Sequence, residues 1–479
     1  MKTTWAPYVG VGIFNDPIHR TVRFTVPVAT RDEVTEKDLI DHPWLQRLRS
    51  IFQLQSARWV YPSAEHTRFQ HSLGSMAVAS LWAHQVYPTL RQVAPDTPSP
   101  GLVEALLRVA ALLHDVGHGP FSHFFEENYL RPYGLTHEQM GARIVLEVLA
   151  EAIRGIRRTP AYELEPGEVL DPRWVAFLIQ KGRTADPDVP LWVRLLVPVF
   201  GGVYTADNMD YVLRDSYMCG VAPGPVDIHR LLYYTFFTSD GLTVHRAGTQ
   251  TLYMFLAARI YLYQNVYYHR TARAIDLQMR EIFPETMESL RADLPGPPEQ
   301  DLTAYSVLTD WFIFETVRRW QGAPSDSTRH RIARAWQKLM DRQIEWKTVF
   351  ETTLTLASAD HLQAVDVGSE LLEAHIREAL PPSLRSLDLR VDMAMKDARP
   401  LNPLQMGSQQ VYVYDPATRT VGKEALSRLL EWLPARIVQF RVFARSYEYA
   451  SEVGRAVERV LCQRIEKGQV GKKHIEPRA

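Results

Sequence analysis

An apolar helix that ends in a histidine-rich loop sets the strongest limit on the fold of this chain. Apolar side chains recur at helical spacing between Leu102 and Leu113. The next ten residues, 114–123, read HDVGHGPFSH. Three histidines in ten residues would make a poor core segment, because each buried imidazole needs a partner. Gly117 and Gly119 allow the backbone to approach a ligand closely. The pattern predicts a functional loop at the end of a buried helix.

Most of the chain shows the same helical periodicity. Residues 67–90, 137–156, 172–181, 191–216 and 249–290 have apolar positions three and four apart. Residues 1–30 look rich in strands and turns instead, and 385–479 mixes predicted strands with predicted helices. We therefore predict a mainly α fold with a small N-terminal β element and a C-terminal α+β unit.

A proline-rich segment suggests where the chain divides. Residues 295–298 read PGPP, which breaks any helix. A length of 479 residues suggests two or three domains. We predict a core over 1–295, a helical extension over 296–385 and a small α+β region over 386–479.

Charge and cysteine content exclude several classes of protein. The chain has 54 Lys+Arg and 55 Asp+Glu, which argues against general electrostatic binding of nucleic acid but leaves a local basic groove possible. Two cysteines, Cys219 and Cys462, cannot form a disulfide framework or an all-cysteine zinc site and favour a reducing compartment. No apolar run reaches the roughly 18 residues of a membrane helix, and the N-terminus does not resemble a signal peptide. We predict a cytoplasmic protein with no membrane partner.

Histidines and aspartates at predicted helix ends form a candidate metal site. They are His71, the pair His114 and Asp115, and the distant Asp207. Imidazole and carboxylate ligands suit a divalent ion, and four of them leave positions open for water and a substrate oxygen. The chain has sixteen histidines, so chance pairs of histidine and aspartate are common. The hypothesis therefore rests on the other histidines that follow His114 in the loop.

Several motifs together resemble one enzyme family. The string 114–123 looks like the core motif of the HD-domain phosphohydrolases, and specifically of the deoxynucleoside triphosphate (dNTP) triphosphohydrolase branch. YPSAEHTRFQHSLG at 61–74 resembles the first-histidine motif, and ADNMDYVLRD at 206–215 resembles the distal-aspartate motif. NDPIH at 15–19 and the stretch from Asp41 to Arg49 resemble the N-terminal segments. The order and spacing of these motifs agree with those of the family from about residue 13 to 280.

The resemblance implies a helical HD-domain core and a set of roles. The metal ligands would be His71, His114, Asp115 and Asp207, holding a divalent ion such as Mg, Mn, Fe, Ni or Zn. His137 would be the general acid, oriented by Glu138, and His118 would act beside it. Without the resemblance, His137 and Glu138 would be read as a helix start with a carboxylate that favours the helix dipole.

The resemblance also implies a substrate-binding set. Its members are Gln53, Leu54, Arg68, His118, His123, Tyr211, Asp215, Arg259 and Tyr267. Helical spacing puts Asp207, Tyr211 and Asp215 on one face, whereas Tyr267 equally suits an aromatic core stripe and Leu54 equally suits core packing.

A further group matches family positions that hold an activating guanine nucleotide between subunits. The group is Asn15, Asp41, Gln46 and Arg49. The alternative is local, with Asp41 at a helix start and Gln46 and Arg49 as solvated helix residues. The resemblance implies a homo-oligomer, a dimer or a tetramer.

Three functional hypotheses follow. The first is a metal-dependent nucleotide phosphohydrolase that converts a dNTP into deoxynucleoside and triphosphate. The second is a phosphatase or phosphodiesterase acting on other nucleotides, and the third is a nucleotide-sensing or nucleic-acid-binding HD protein. Asn208 bears on the choice among these hypotheses, because a vertebrate member of the family has a phosphate-binding lysine at the matching position.

Overall fold

The computed structural model describes residues 8–29, 31, 33–183, 187–356, 368–397, 406–423, 426, 428 and 430–467. Two compact units emerge from the contacts between residues. The first unit takes residues from 1–258, 290–316 and 404–427, and the second from 259–289, 317–403 and 428–479. Among the residues described, no helix combines the length and the apolar character needed to cross a membrane. The regions 1–295, 296–385 and 386–479 stay predictions as domains, since both units combine separate stretches of chain.

Helices dominate the described part of the chain. In chain order they are α1 Glu36–Ile40, α2 Pro43–Gln46, α3 Arg68–Val93, α4 Pro100–Leu113, α5 His123–Phe125, α6 His137–Glu147, α7 Ala150–Gly155, α8 Pro172–Ile179, α9 Leu191–Leu195, α10 Pro198–Gly201, α11 Ala206–Cys219, α12 Ile228–Tyr233, α13 Thr249–Leu262, α14 Arg270–Arg291, α15 Leu302–Ser306, α16 Asp310–Arg319, α17 Thr328–Met340, α18 Ser369–Ala379 and α19 Ala450–Lys467.

Strands are fewer and shorter. They are β1 Val11–Asp16, β2 Arg20–Thr25, β3 Thr235–Thr238, β4 Gly241–His245, β5 Lys347–Leu356, β6 Leu389–Asp397, β7 Val411–Asp415, β8 Thr420–Gly422 and β9 Arg436–Ala444. The predicted class, mainly α with a small N-terminal β element and a C-terminal α+β unit, is confirmed.

Helices α3 and α4 form the centre of the first unit. They pack against each other, and α11 packs against α3. The first turn of α3 is fixed by Thr67 and Gln70, whose side chains each accept from the other's backbone in a capping box. Every residue of α4 after Pro100 is buried, so the apolar run found in the sequence is a core helix. The start of α3, the end of α4 and the start of α11 meet at one place.

Two small sheets complete the first unit. Strands β1 and β2 form an antiparallel hairpin closed at residues 17–19. The second sheet has the order β3-β4-β7-β8. Within 385–479, where we predicted strands and helices, strand β7 pairs in parallel with β4 of the first unit. It is therefore not part of the C-terminal α+β unit.

The second unit contains the α+β element. Strand β9 lies between β5 and β6, antiparallel to both. Helices α18 and α19 pack beside this sheet, with Ile376 and Val457 in the same apolar core as Phe440 and Val442. Strand β5 lies in the region predicted to be helical. Its β-branched residues, such as Thr352 and Thr353, favour a strand. It pairs antiparallel with β9 over Lys347–Leu356, with an irregularity in register between Thr348 and Phe350.

Candidate active site

The four predicted metal ligands come together at the ends of α3, α4 and α11. His71 Nε2 lies 3.1 Å from Asp207 Oδ1 and 3.2 Å from His114 Nε2. Asp115 Oδ1 lies 3.3 Å from His114 Nε2. Ligand atoms that each lie about 2.0–2.2 Å from one ion are separated by about 3–3.5 Å. The spacing of His71, His114 and Asp207 therefore fits a single divalent ion, and Asp115 adjoins these three through His114.

Hydrogen bonds set the orientation of both imidazole rings. His114 Nδ1 lies 2.7 Å from the carbonyl oxygen of Ala111, which can only accept, so this nitrogen carries the hydrogen. His71 Nδ1 lies 2.7 Å from Asp210 Oδ2 in the same relation. With a hydrogen on each Nδ1, both Nε2 atoms point into one space. Two such nitrogens are held close together by a cation between them, which can be a proton on His71 or, once bound, a metal ion.

The charges around this space also favour a cation. Burial opposes a charge on His71, but Asp207, Asp210 and Asp115 outweigh it and raise the pKa of His71 to about 10. Burial likewise opposes the charge of Asp207, yet the hydrogen bond from His71 holds the pKa of Asp207 at about 2. The carboxylates are thus ionised and draw positive charge towards the ligand atoms. Asp207, with 34% of its side chain exposed, opens the site to solvent.

A buried network behind His71 fixes this ligand to the N-terminal hairpin. Asp210 Oδ1 lies 2.7 Å from His19 Nε2 and accepts from Arg214 Nη2 at 2.8 Å. Arg214 Nη1 also donates to Asp16 Oδ2 at 2.9 Å. Hydrogen-bonded partners behind a ligating histidine fix its tautomer and direction. The hairpin turn thus supports the ring of His71 from outside the metal site.

Gly74 of α3 leaves room for this network. A Cβ atom at this position would lie 1.8 Å from Asp210 Oδ1 and 2.2 Å from Arg214 Nη2. Helix propensity alone favours alanine over glycine by roughly 1 kcal/mol. Here the overlap with buried, paired groups must outweigh that preference.

We therefore expect Gly74→Ala to lower the free energy of unfolding, by roughly 1–3 kcal/mol as in overpacked cores. Gly141→Ala is the matched control, because Gly141 also lies inside a helix and its added Cβ would meet its nearest atom at 3.5 Å, an ordinary contact. The control should keep or raise stability in urea unfolding. Equal stability of the two variants would contradict the close packing at Gly74.

A second group of side chains lies beside the metal ligands. The rings of His118 and His137 stack with their centroids 3.9 Å apart, and His123 meets both rings edge-on. His118 Nε2 lies 3.3 Å from Asp115 Oδ1, so Asp115 connects this group to the metal ligands. Burial, with the charges of Arg68 and His137, holds the pKa of His118 well below its usual range. His118 is therefore neutral at pH 7.

The carboxylate that contacts His137 is Glu126. Its Oε2 bonds to His137 Nδ1, whereas Glu138 Oε2 lies 3.7 Å from the same nitrogen. Glu138 pairs instead with Lys181 Nζ at 2.8 Å. Glu126 is ionised, since hydrogen bonds from His123 and His137 outweigh its burial and lower its pKa far below the usual range. We predicted Glu138 as the orienting group, but the structure gives the direct contact to Glu126.

A π-helical segment places Glu126 for this contact. It spans Glu126–Leu130, directly after α5. Segments of this kind are rare and occur often at functional sites. The sequence shows no period that would reveal this segment, so the sequence pattern assigns no role to Glu126.

The predicted substrate-binding residues of the first unit differ in burial and in hydrogen bonding. Arg68 is buried and donates to Asp115 Oδ2 at 2.5 Å and to Ser122 Oγ at 2.8 Å. Asp215 is buried and lies 2.8 Å from His66 Nε2. Gln53 has a buried Oε1 that lacks a hydrogen-bond partner among the described residues. Of the others, Leu54 is buried, Tyr211 is half-buried and the side chain of His123 is 65% exposed.

Two predicted substrate contacts belong to the second unit. Arg259 lies in α13, and Tyr267 ends a π-helical segment over Tyr263–Tyr267. The ring of Tyr267 meets that of Tyr263, with their centroids 4.9 Å apart. Their contact with a substrate stays a prediction.

The residues predicted to bind an activator lie on the hairpin and near α1 and α2. Asn15 is in β1, and Asp41 pairs with Lys37 of α1. Gln46 accepts a hydrogen bond from Arg49 Nε at 2.8 Å. The guanidinium of Arg49 lies 3.7 Å from the ring centroid of Phe69. The pair Gln46–Arg49 is local, as in the alternative interpretation, but Asp41 lies at the end of α1 and not at a helix start. The activator site stays a prediction.

Comparison with known families identifies the central region. The HD domain family matches residues 68–160, which span α3, α4 and the histidine loop. This chain carries an HD domain. HD domains are metal-dependent, in agreement with the donor set at His71, His114 and Asp207.

The HD-domain chain is similar to several known proteins. It is 29% identical over 314 residues to an uncharacterized protein of Methanocaldococcus jannaschii, covering 64% of this chain and 57% of that protein. It is 25% identical over 435 residues to the deoxynucleoside triphosphate triphosphohydrolase SAMHD1 homolog of Dictyostelium discoideum, covering 88% of this chain and 77% of that protein. The chain thus spans little more than half the length of the archaeal relative.

A solved structure supports the fold. The crystal structure of a hypothetical protein from Aquifex aeolicus superposes with a TM-score of 0.64 at 22% sequence identity, covering 93% of this HD-domain chain and all of that one. This likeness concerns the fold alone. The chain carries an HD domain, and its similarity to a dNTP triphosphohydrolase is a similarity of sequence.

Proposed function

We propose that this HD-domain protein is a metal-dependent nucleotide phosphohydrolase whose preferred reaction converts a dNTP into deoxynucleoside and triphosphate. The observation that carries the proposal is the meeting of two side-chain groups at Asp115. One carboxylate oxygen of Asp115 lies 3.3 Å from His114 Nε2 and also 3.3 Å from His118 Nε2. A metal-ligand set and a histidine group suited to proton transfer therefore share one boundary.

The metal ion would be held by His71, His114, Asp115 and Asp207, and when bound it would polarise a phosphate oxygen and make a water molecule more acidic. The partly exposed Asp207 leaves this place open to solvent and substrate. The experiment below determines which ion, Mg, Mn, Fe, Ni or Zn, supports the reaction.

His137 would donate the proton that the leaving group needs. Its Nδ1 faces the ionised Glu126, so Nε2 is the atom available to the substrate. In the proposed reaction, water attacks the α-phosphorus and the bond to the 5′-oxygen breaks. The 5′-oxygen takes the proton from His137, and the other product is inorganic triphosphate. The stacked His118, which is neutral, adds no positive charge to oppose the charged form of His137.

The experiment that tests this proposal compares products across nucleotides. Metal-depleted protein would be reconstituted with each ion in turn and given the four dNTPs, the four NTPs, a deoxynucleoside monophosphate and a phosphodiester. Anion-exchange chromatography separates triphosphate from diphosphate and phosphate. We expect triphosphate and deoxynucleoside from dNTPs. Release of phosphate alone would instead support the phosphatase or phosphodiesterase reaction, and binding without any product would support a nucleotide sensor.

We also propose a guanine nucleotide activator and a homo-oligomer. Arg49 contacts Phe69 in the first turn of α3, the turn that also carries Arg68 and His71. A ligand held by Asn15, Asp41, Gln46 and Arg49 would therefore touch the helix that presents a metal ligand. The resemblance of the N-terminal segments, 15–19 and 41–49, to those of the dNTP triphosphohydrolase branch is the other support for this proposal.

We expect GTP or dGTP to raise turnover of a second dNTP and to increase the mass measured by light scattering. Asp41→Ala should remove both effects, because the carboxylate can accept two hydrogen bonds from a guanine edge. Glu151→Ala is a control, since Glu151 is also an exposed carboxylate in an ion pair, with Arg154 where Asp41 has Lys37. If mass and rate stay constant with and without guanine nucleotide, the activator proposal is wrong while the catalytic proposal stands.

A further inference from the structure

The backbone of the histidine loop is strained. Phe121 and Ser122 both have φ of 58°, a left-handed conformation that residues other than glycine rarely adopt. Strain of this kind persists only where the surrounding structure holds it, and it occurs often at active sites. Something outside the loop must therefore hold residues 117–123 in place.

Three buried hydrogen bonds join the backbone of the loop to side chains elsewhere in the first unit. Tyr305 Oη donates to the carbonyl oxygen of Gly117 at 2.7 Å, and Arg47 Nη1 donates to that of His118 at 2.7 Å. The backbone N–H of Phe121 donates to Asp310 Oδ1 at 2.6 Å. The loop is thus held at its start, its middle and its strained end.

The groups that hold the loop also hold one another. Arg47 Nη2 donates to the carbonyl oxygen of Leu308 at 2.7 Å, and the guanidinium of Arg47 lies 5.0 Å from the ring centroid of Tyr305. We call Arg47, Tyr305, Leu308 and Asp310 the brace. None of these four residues lies within 68–160, the region that matches the HD domain family.

Asp310 connects the histidine loop to a second segment. Its Oδ2 accepts from the backbone N–H of Phe52 at 3.1 Å, next to Gln53 and Leu54. Ser122 Oγ closes the same junction by donating to the carbonyl oxygen of Phe52 at 2.9 Å. One carboxylate therefore fixes two segments, 51–54 and 117–123, relative to each other.

The carboxylate of Asp310 is fully used by these two contacts. Burial raises the pKa of Asp310 to about 6, and the hydrogen bonds from Phe121 and Phe52 limit that rise. At pH 7 the group is thus largely ionised and accepts on both oxygens. An asparagine in its place keeps one acceptor oxygen and puts an N–H₂ group opposite a backbone N–H.

We propose that Asp310 is a positioning residue that sets the geometry of the histidine loop against segment 51–54. It would act through His118 and His123 on one side and through Gln53 on the other, without touching the substrate. Its kinetic consequence rests on the proposed function, whereas its effect on the two segments does not. A displacement of about 1 Å in a site of this kind can cost on the order of 10²-fold in rate.

The experiment uses the full chain with Asp310→Asn and Asp310→Ala. The control is Glu299→Gln, because Glu299 is another buried carboxylate of the first unit, accepts from Tyr129 Oη at 2.7 Å, and contacts neither segment. Hydrogen–deuterium exchange, metal content, kcat and KM are measured for each protein. Tyr305→Phe removes only the hydrogen-bond donor to Gly117, and it replaces Asp310→Ala in the exchange measurement if that variant does not fold.

We expect faster exchange in 51–54 and 117–123 for the Asp310 variants, with metal content unchanged. For these variants kcat should fall about 10- to 100-fold while KM changes little. Glu299→Gln should leave exchange in both segments and kcat unchanged. Unaltered exchange in the Asp310 variants would overturn the brace, and faster exchange with full kcat would overturn its positioning role. A wild-type protein without hydrolase activity would refute the proposed function. The exchange data would still show whether Asp310 holds segments 51–54 and 117–123 in place.

Discussion

Asp207→Ala should lose its bound metal ion and most of its turnover. Asp207 Oδ1 lies 3.1 Å from His71 Nε2, and Asp207 is the most exposed of the four candidate ligands. Its removal leaves two imidazole nitrogens and Asp115, which is already paired with Arg68. Loss of a partner behind a ligand costs about 10- to 100-fold in metal affinity or activity. Loss of a ligand itself should therefore cost more.

The fold should survive this substitution. Helix α11 keeps its buried residues, Met209 and Val212 among them, and its capping group Thr205, whose hydroxyl accepts from the N–H of Asn208 at 3.0 Å. Glu151→Ala is the control, because Glu151 also lies in the first turn of a helix of the first unit, without capping it, and is outside the site. Metal analysis, turnover and thermal unfolding are measured for both. Wild-type metal content and turnover in Asp207→Ala would remove Asp207 from the ligand set.

His137→Ala should lower kcat by a factor on the order of 10² to 10⁴, as expected for loss of a general acid, with little change in KM. The physical reason is the pair with Glu126, which leaves Nε2 of the ring as the proton donor. Steady-state kinetics at saturating metal gives both constants. An unchanged kcat would exclude His137 from proton transfer.

Two conservative variants separate the neighbouring carboxylates. Glu126→Gln removes the charge that contacts His137, whereas Glu138→Gln removes a charge that pairs with Lys181. We expect the larger loss of kcat from Glu126→Gln. A larger loss from Glu138→Gln would restore the orienting role that the sequence had suggested for that residue.

The helix ends that carry the candidate ligands could be predicted because their signals are local. The apolar run 102–113 is a core helix that ends at Leu113, immediately before His114 and Asp115. Asp207 lies in the first turn of α11, and His71 in that of α3. Local signals do not show that these ends meet. That expectation came from the kinds of residue at these helix ends and from the family resemblance, and the structure brings the four side chains together.

Contacts between distant segments could not be predicted. His137 and Glu138 are neighbours in sequence, but successive residues of a helix point in different directions, and the partner of His137 comes from a π-helical segment. Strand β7 has the alternation of a strand, yet nothing in its sequence names β4 as its partner. Asp310 is separated from Phe121 by 189 residues, which is why no sequence motif contains both.

The N-terminal hairpin has a consequence for folding order. His19 is separated from Asp210 by 191 residues, and Asp210 from His71 by 139. Closing such long loops costs chain entropy before any contact forms, so this centre should be among the last parts of the first unit to assemble. A metal ion that binds only the finished centre stabilises the folded chain by RT ln(1 + [L]/Kd). Metal supply would then control how much of the chain stays folded, and variants weakened far from the centre would regain stability when metal is added.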